Sequence, residues 1–403
     1  MSDVDFAQPP AFPMQRSCPF HPPAEYEQLR AESPVSKVTL PTGRVVWLIV
    51  GHRNVREVLV DPRVTSDRTH PNFPLLASVP PEQLRAIPQT LIGVDPPEHT
   101  AHRRLVIPEF TVKRVQTMRP WITELVDGLV SDMLKAGPVV DLVQAMSLPV
   151  PSLVICEMMG VPYADHDQFQ TWTARLLNFT TSPEQRAATF QELVGYLDKL
   201  VTAAEEDPQD DLLGRLVVKN RESGVLDHTN LVGMARLLLF AGHETTANMI
   251  SLGVVTLLEH PEQLAAVRAD PALMPKAVEE LLRYFSILDV ATARVATVDM
   301  EVAGTLIRAG EGLIAIGSGA NRDAEAFENP DDFDISRGAR HHVAFGYGVH
   351  QCLGQNLARL ELEIVLNTLF RRIPGLRLAV PVGELSFKHD ANVYGINEVP
   401  VTW

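Results

Sequence analysis

The sequence predicts a mainly helical protein with small β-sheets, and three observations support this fold class. Between residues 54 and 258, apolar residues recur three and four positions apart, which is the period of a helix packed on one face. Two shorter regions are rich in β-branched and aromatic residues, as strands are. A helical period then returns after Cys352 and ends near Pro374. We therefore expect a helical bulk with minor sheets.

The strand regions lie on either side of that bulk in the chain. Residues 35–40 and 44–50 flank the turn Pro41-Thr42-Gly43, which predicts a β-hairpin. Residues 298–316 have a second short period around Gly304. Between these regions, residues 70–90 contain many prolines and no period, which predicts a long loop that forms part of a substrate site.

The most hydrophobic stretch, residues 231–258, predicts a buried helix. Arg236, His243 and Glu244 interrupt it, so that it falls short of the roughly 20 apolar residues that cross a bilayer. No membrane association is expected.

Charge and cysteine content exclude several classes of protein. The net charge of −15 argues against nucleic acid or an anionic membrane as a partner. The three cysteines are far apart, which excludes a disulfide framework and fits a reducing compartment. The first residues also lack the basic and apolar pattern of an export signal. We therefore expect a cytoplasmic protein.

The strongest motif is a glycine-rich turn at residues 345–354 that leads Cys352 into a helix. Backbone N–H groups at a helix start lower the pKa of a thiol, so the sulfur could bind iron as a thiolate. Gly346 and Gly354 would allow tight turning and close approach to a flat ring, and Phe345 would cover the sulfur. The alternative is a small buried cysteine in a turn, the usual fate of a single free cysteine.

This spacing of Phe, Gly, Cys and Gly resembles the haem-binding loop of the cytochrome P450 family, in particular its soluble actinobacterial members. The resemblance extends over nearly the whole chain and implies a single domain spanning residues 1–403. It implies a triangular prism with a long central helix and a haem b whose iron is ligated by Cys352. It also implies a monooxygenase that uses O2.

Glu280 and Arg283 lie three residues apart on one predicted helix face, where they can form an ion pair. A solvated helix face is the simpler interpretation of such a pair. In the resembling family, this Glu-x-x-Arg motif locks the core on the cysteine side, so we expect a structural role. We expect the neighbouring Glu279 to face solvent.

Glu244 and Thr245 place an acid and a hydroxyl within an apolar helix. Burying them without partners would cost a few kcal/mol, about 1–3 each by mutational data, which favours a function. A monooxygenase must deliver protons to O2, and an acid and a hydroxyl can relay them. In the family, Ala241 and Gly242 correspond to a small pair that leaves room above the iron. Alternatively, Thr245 bonds to a helix carbonyl and only bends the helix.

Two haem propionates need cationic partners. His99 and Arg103 share a helix face four residues apart, and the resemblance assigns them to propionates together with Arg294 and His350. Two basic neighbours on the same predicted helix are expected to be exposed: His102 and Arg104.

The substrate pocket is expected to be largely apolar, which predicts a large hydrophobic substrate such as a macrolide, polyketide, terpenoid, steroid or xenobiotic. Its expected lining consists of residues 73–92, residues 176–190, Leu237, Ala241, Val290, Ala291 and Val393.

No redox module is attached to the chain, so electrons are expected from a ferredoxin and its reductase. The expected docking patch consists of Arg104, Lys113, Arg114 and Arg359. Two other functions remain open: epoxidation or oxidative coupling at the same haem, and a haem-binding sensor or electron carrier, which would not need Glu244 and Thr245.

Overall fold

The computed structural model describes residues 9–86, 90–177, 181–389 and 392–403. It is mainly helical with small sheets, as predicted. The helices are α1 Glu25–Glu32, α2 His52–Val60, α3 Pro81–Ala86, α4 Glu98–Val106, α5 Val112–Gln116, α6 Arg119–Ala136, α7 Pro149–Met159, α8 His166–Leu177, α9 Pro183–Glu206, α10 Leu212–Ser223, α11 His228–Glu259, α12 Pro261–Ala269, α13 Met274–Phe285, α14 Gly317–Ala320 and α15 Gln355–Arg372. The strands are β1 Val35–Thr39, β2 Val45–Ile49, β3 Val64–Thr65, β4 Val140–Asp141, β5 Ala293–Ala296, β6 Met300–Val302, β7 Thr305–Ile307, β8 Gly312–Ala315, β9 Arg377–Leu378 and β10 Pro400–Thr402.

The largest sheet has five strands in the order β1-β2-β8-β5-β3. Its first two strands form the predicted hairpin, in which Val35 pairs with Ile49 and Thr39 pairs with Val45. Strand β8 from the second strand region then adds to β2 in parallel. The sheet thus joins segments that are far apart in sequence. Beside this pairing, Trp47 Nε1 donates to Glu311 Oε2 at 2.7 Å.

The second strand region is also confirmed. Strands β6 and β7 form an antiparallel pair around Gly304, whose φ of +78° suits a tight turn. Sequence analysis missed β5, which lies just before this region and pairs with β8 and β3.

Helix α11 is the long helix of the fold, with 32 residues. The side chain of Asp227 caps it by accepting from the backbone N–H of Asn230. The helix is buried over most of its length and contacts α7, α9 and α15. Among the described residues, no helix is long and apolar enough to cross a membrane.

The prediction of an unbroken loop over residues 70–90 is wrong in part, because α3 lies within it. Pro81 is the first residue of this helix, where a proline loses no helical hydrogen bond and its fixed φ suits the helix. Positions 87–89 lie outside the described residues.

Helix α15 confirms the predicted helix after Cys352. It buries Leu357, Leu360, Ile364 and Leu369 and packs against α6, α11 and α13. The end of the cysteine loop is therefore fixed to the core.

Candidate functional site

The cysteine loop is closed by a hydrogen bond from the backbone N–H of Cys352 to the carbonyl of Phe345, at 2.8 Å. Gly346 and Gly348 have φ values of +69° and +74°, which favour glycine. A Cβ at Gly348 would lie 2.5 Å from the carbonyl oxygen of Leu59. The loop therefore needs glycine both for its backbone angles and for its close approach to α2.

The prediction of a lowered thiol pKa is wrong for the chain by itself. Burial raises the pKa of Cys352. Backbone N–H groups of Gly354 and Gln355 and the charges of Arg103 and Arg359 act in the opposite direction but are outweighed. The helix itself begins at Gln355, so these two N–H groups belong to its N-cap and its first residue. A bound metal would be needed to favour the thiolate.

Glu279 is buried, so the expectation that it faces solvent is wrong: 8% of its surface is exposed. Its carboxylate accepts from Arg359 Nε at 2.5 Å and lies 3.0 Å from His342 Nε2. Burial opposes its ionisation, but these contacts outweigh burial and lower the pKa of Glu279 to about 2. The Arg359 guanidinium also lies 4.6 Å from the centre of the Phe345 ring. The cysteine loop is thus braced from α13 and α15.

The predicted ion pair between Glu280 and Arg283 forms, and both side chains are fully buried. Arg283 donates twice to Glu280, at 2.7 and 2.8 Å. A third member, Arg337, donates from Nε to Glu280 at 3.2 Å. Sequence analysis missed Arg337, because it comes from a loop 57 positions downstream with no local spacing to reveal it.

The structure brings together the predicted propionate contacts. The rings of His99 and His350 are 4.2 Å apart. Both ring nitrogens of His99 and Nδ1 of His350 are buried without a hydrogen-bond partner among the described residues. The charges of Arg103 and Arg294 act on His350, and together with burial they lower its pKa to about 3. Buried polar atoms in this state indicate a ligand that supplies acceptors.

Arg68 is an additional member of this cluster, and sequence analysis missed it. Burial by neighbouring protein atoms lowers its pKa, although part of its side chain remains exposed. Its charge also lowers the pKa of Arg294. Asp95 is the acid that acts on Arg294 and His99, but it is bonded to Thr65 and Ser66. The positive charge of the cluster is therefore poorly compensated.

Of the two residues of α4 expected to be exposed, Arg104 is exposed and His102 is not. His102 retains 4% of its surface, and its Nε2 lies 3.8 Å from Glu98. His99 and His102 are three residues apart, just under one helical turn, so both rings lie on the inner side of this short helix.

The middle of α11 is accessible although the helix is otherwise mostly buried. Ala241, Gly242, Glu244 and Thr245 all retain surface. A Cβ at Gly242 would meet nothing within 4 Å. The Thr245 hydroxyl donates to the Ala241 carbonyl at 2.8 Å, which is the bond that the structural alternative predicted. This bond leaves the lone pairs of Thr245 Oγ1 available to accept a hydrogen bond.

Glu244 has a partner that sequence analysis did not find. Lys388 Nζ lies 3.8 Å from Glu244 Oε1, an ion pair longer than a direct hydrogen bond. Burial raises the pKa of Glu244, and Lys388 partly opposes the rise. Lys388 lies 144 positions away on the C-terminal segment, so no periodicity connects it to α11.

The residues expected to line the pocket retain surface: Leu237, Val290 and Val393 are half-buried, and Ala241 and Ala291 are exposed. They come from α11, the turn before β5 and the C-terminal segment. Within the two expected lining segments, positions 87–89 and 178–180 lie outside the described residues.

Residues 21–373 match the family model for cytochrome P450. The chain belongs to the cytochrome P450 family.

Relatives of this cytochrome P450 resemble it over its whole length. Vitamin D3 dihydroxylase of Streptomyces griseolus is 54% identical over 396 residues, covering 98% of this chain and 97% of the relative. Mycinamicin VIII C21 methyl hydroxylase of Micromonospora griseorubida is 44% identical, covering 97% of this chain and 99% of the relative. The crystal structure of cytochrome P450 MoxA from Nonomuraea recticatena superposes with a TM-score of 0.93 at 55% identity, covering 98% of each chain. The chain is thus a P450 hydroxylase or monooxygenase.

The cofactor of this cytochrome P450 is haem b, and the residues present fit it. Two propionates match the poorly compensated charge around Arg68, Arg103 and Arg294 and the unpartnered nitrogens of the two histidines. A Cβ at Gly354 would meet nothing within 4 Å, which is consistent with room for a flat ring beside the cysteine loop.

Proposed function

We propose that this cytochrome P450 hydroxylates a large hydrophobic small molecule, of the macrolide, polyketide, terpenoid, steroid or xenobiotic class. The accessible apolar surface at the centre of α11, around Leu237 and Ala241, carries this proposal. A buried helix exposes such a patch where an apolar ligand packs against it. Val290, Ala291 and Val393 add apolar surface from two further segments. Relatives named for vitamin D3 and mycinamicin VIII support the substrate class.

Cys352 is proposed to hold the haem iron through its sulfur, with Phe345 and Gly346 shaping its loop. His99, Arg103, Arg294 and His350 would hold the propionates, with Arg68 as an additional contact. When bound, the haem would supply the iron at which O2 is activated. The Arg side chains would bind and orient the propionates, and Phe345 would limit the access of water to the sulfur.

Glu244 and Thr245 are proposed to move protons at the centre of α11. Burial raises the pKa of Glu244, so that its carboxyl can hold a proton closer to neutral pH than an exposed glutamate can. Thr245 Oγ1 directs its own hydrogen to Ala241, and its lone pairs can accept a hydrogen bond from water. To relay a proton, the hydroxyl turns from Ala241, gives its own hydrogen to the next acceptor and receives another from the donor side, so the helix does not need to open.

The carbon monoxide difference spectrum of the reduced protein tests the ligand. Thiolate ligation shifts the main haem band to a distinctive long wavelength, and we expect that band in the wild type and its loss in Cys352→His. A wild-type protein that takes up haem but lacks the shifted band would refute the assignment of Cys352. Analysis of the oxidised product then separates hydroxylation from epoxidation or coupling.

Thr245→Ala tests the proposed role of Thr245 in proton delivery. We expect the variant to release most of its reducing equivalents as hydrogen peroxide, because proton delivery is impaired. Thr256→Ala is the matched control, since Thr256 makes the same type of bond to a carbonyl four residues earlier on α11 but is fully buried. Equal peroxide yields in wild type and Thr245→Ala would refute this role.

A ferredoxin is the proposed electron donor. Among the expected docking residues, Arg104, Lys113 and Arg114 are exposed. Arg114 lies 3.5 Å from the buried Glu109, and Arg359 is held by Glu279. Both are therefore partly neutralised.

The charge reversals Arg104→Glu and Lys113→Glu, combined, should raise the apparent KM for ferredoxin while kcat changes little. Lys199→Glu is the control: it reverses a single charge, in the same sense, at an exposed position on α9. An unchanged KM in the combined variant would reject this patch.

A further inference from the structure

Lys388 is held in place at both ends. Its backbone N–H donates to the carbonyl of Gly395 at 2.9 Å, next to the antiparallel bridge between Phe387 and Ile396. Its ammonium donates to Asn248 Oδ1 at 3.0 Å, and 10% of its side chain is exposed. A lysine with so little exposed surface needs partners whose attraction offsets the energetic cost of its desolvation.

The position of the Lys388 ammonium depends on a close approach of the C-terminal segment to α11. A Cβ at Gly395 would overlap Asn248 Oδ1, so only glycine lets the two segments meet at this point. Asn248 and Glu244 are four residues apart and share a face of α11. The Lys388 ammonium therefore contacts α11 about one turn beyond Glu244, the acid of the proposed proton relay.

The two contacts of the ammonium differ in kind. The 3.0 Å bond to Asn248 is a direct hydrogen bond, whereas the 3.8 Å contact with Glu244 is an ion pair without one. The ammonium is thus anchored by the neutral amide, and the carboxyl of Glu244 is left able to turn relative to a fixed positive charge.

We propose that Lys388 is a positioning residue for proton delivery: anchored by Asn248, its ammonium orients the Glu244 carboxyl and sets its charge between proton transfers. This role rests on the proposed function of Glu244. Burial alone would keep that carboxyl protonated to higher pH, and the ammonium opposes this. The nearby positive charge therefore eases release of the proton that burial alone would retain on Glu244.

A second titratable group whose pKa responds to this charge is His243. It is buried on α11, and burial together with Lys388 lowers its pKa to about 4. It is therefore neutral at the pH at which the relay works, and it does not replace the ammonium as a counter-charge. His389, next to Lys388, has an exposed side chain.

A double-mutant cycle on the haem-loaded protein tests the contact independently of activity. Thermal midpoints are measured for wild type, Lys388→Met, Glu244→Gln and the combined variant. We expect Lys388→Met to lower the midpoint more when Glu244 is present than when it is replaced, because the bond to Asn248 is lost in both cases. Equal losses in the two backgrounds would mean that the charges do not interact, and would overturn the proposal.

The pH dependence of uncoupling tests the role itself. A plant-type ferredoxin and its reductase serve as surrogate donors, and hydrogen peroxide formed per NADPH is measured against pH. We expect the pH at which this ratio changes to move upward by about 1 unit in Lys388→Met. Lys388→Arg keeps the charge and should restore the wild-type profile, and Lys276→Met, at an exposed position on α13, should not move it.

The outcomes separate the two proposals. An unmoved profile in Lys388→Met, with a moved profile in Glu244→Gln, would make Lys388 a structural residue only and overturn its positioning role. A wild-type profile in Glu244→Gln would overturn the relay itself, and the role of Lys388 with it, even if the carbon monoxide band were normal.

Discussion

Replacing Arg283 by alanine removes the centre of the buried network on the cysteine side. Its guanidinium donates twice to Glu280 and also to the backbone carbonyls of Asn321, Pro330 and Asp332, at 2.8, 2.7 and 3.1 Å. Neither Arg283 nor Glu280 has exposed side-chain surface. The variant therefore leaves a carboxylate and the carbonyls of Asn321 and Pro330 short of donors, while the Asp332 carbonyl keeps Arg337 at 3.3 Å.

The expected loss of unfolding free energy follows from these contacts. Removing one partner of a buried ion pair costs about 3–5 kcal/mol. Glu280 keeps two donors, Arg337 and the backbone N–H of Asp334, at 3.2 and 3.0 Å. The cost of removing its ion-pair partner should therefore lie at the lower end, ~3 kcal/mol. Each carbonyl left without a donor adds about 1 kcal/mol or more, which brings the total back toward ~5 kcal/mol.

Urea unfolding of the haem-loaded protein, followed by far-ultraviolet circular dichroism and by haem absorbance, measures this loss. We expect a lower midpoint and a reduced yield of soluble holoprotein. Arg53→Ala is the matched control, because Arg53 also pairs with a glutamate on its own helix, Glu57, but at an exposed position. Wild-type yield and midpoint in Arg283→Ala would refute the reasoning that the network stabilises the core.

Three further predictions concern pH and backbone geometry. Glu361 is fully buried with Oε2 unpartnered among the described residues, and burial raises its pKa well above the ordinary value. It takes up a proton on folding, so wild-type stability falls as pH rises above about 4.3; Glu361→Gln should match the wild type near that pH and have the higher thermal midpoint at about pH 8. His228 lies at the start of α11 and bonds to two carboxylates of α9 at 2.6 and 3.0 Å, which raise its pKa. This contribution to stability is complete below about pH 6.5 and is lost as pH rises through the raised pKa, so the midpoints of wild type and His228→Gln should differ most at low pH and converge at about pH 9. Gly348→Ala should lower the thermal midpoint more than Gly43→Ala, because both have positive φ but only Gly348 faces a carbonyl oxygen at 2.5 Å; equal losses would mean that φ strain alone matters.

Features encoded in local spacing were predictable. The hairpin, the strand pair around Gly304, the long buried helix and the helix after Cys352 each follow from a period or a turn within a short window. The ion pair between Glu280 and Arg283 is likewise a spacing of three on one helix. The expectation that Glu279 faces solvent was wrong because helix α13 is buried on several sides, which a two-sided helix pattern does not reveal.

By itself, the sequence predicted the cysteine loop and the acid and hydroxyl in α11, since the residues of each motif are close together in the chain. The four proposed propionate contacts, His99, Arg103, Arg294 and His350, were predicted from resemblance to the family. Only the tertiary structure placed Arg337 on Glu280, Arg68 beside Arg294 and Lys388 beside Glu244. These partners come from loops and from the C-terminal segment, where no periodicity fixes the direction of a side chain. Tertiary structure also acts on the Cys352 thiol, because burial in the folded chain raises its pKa against the backbone N–H groups of Gly354 and Gln355.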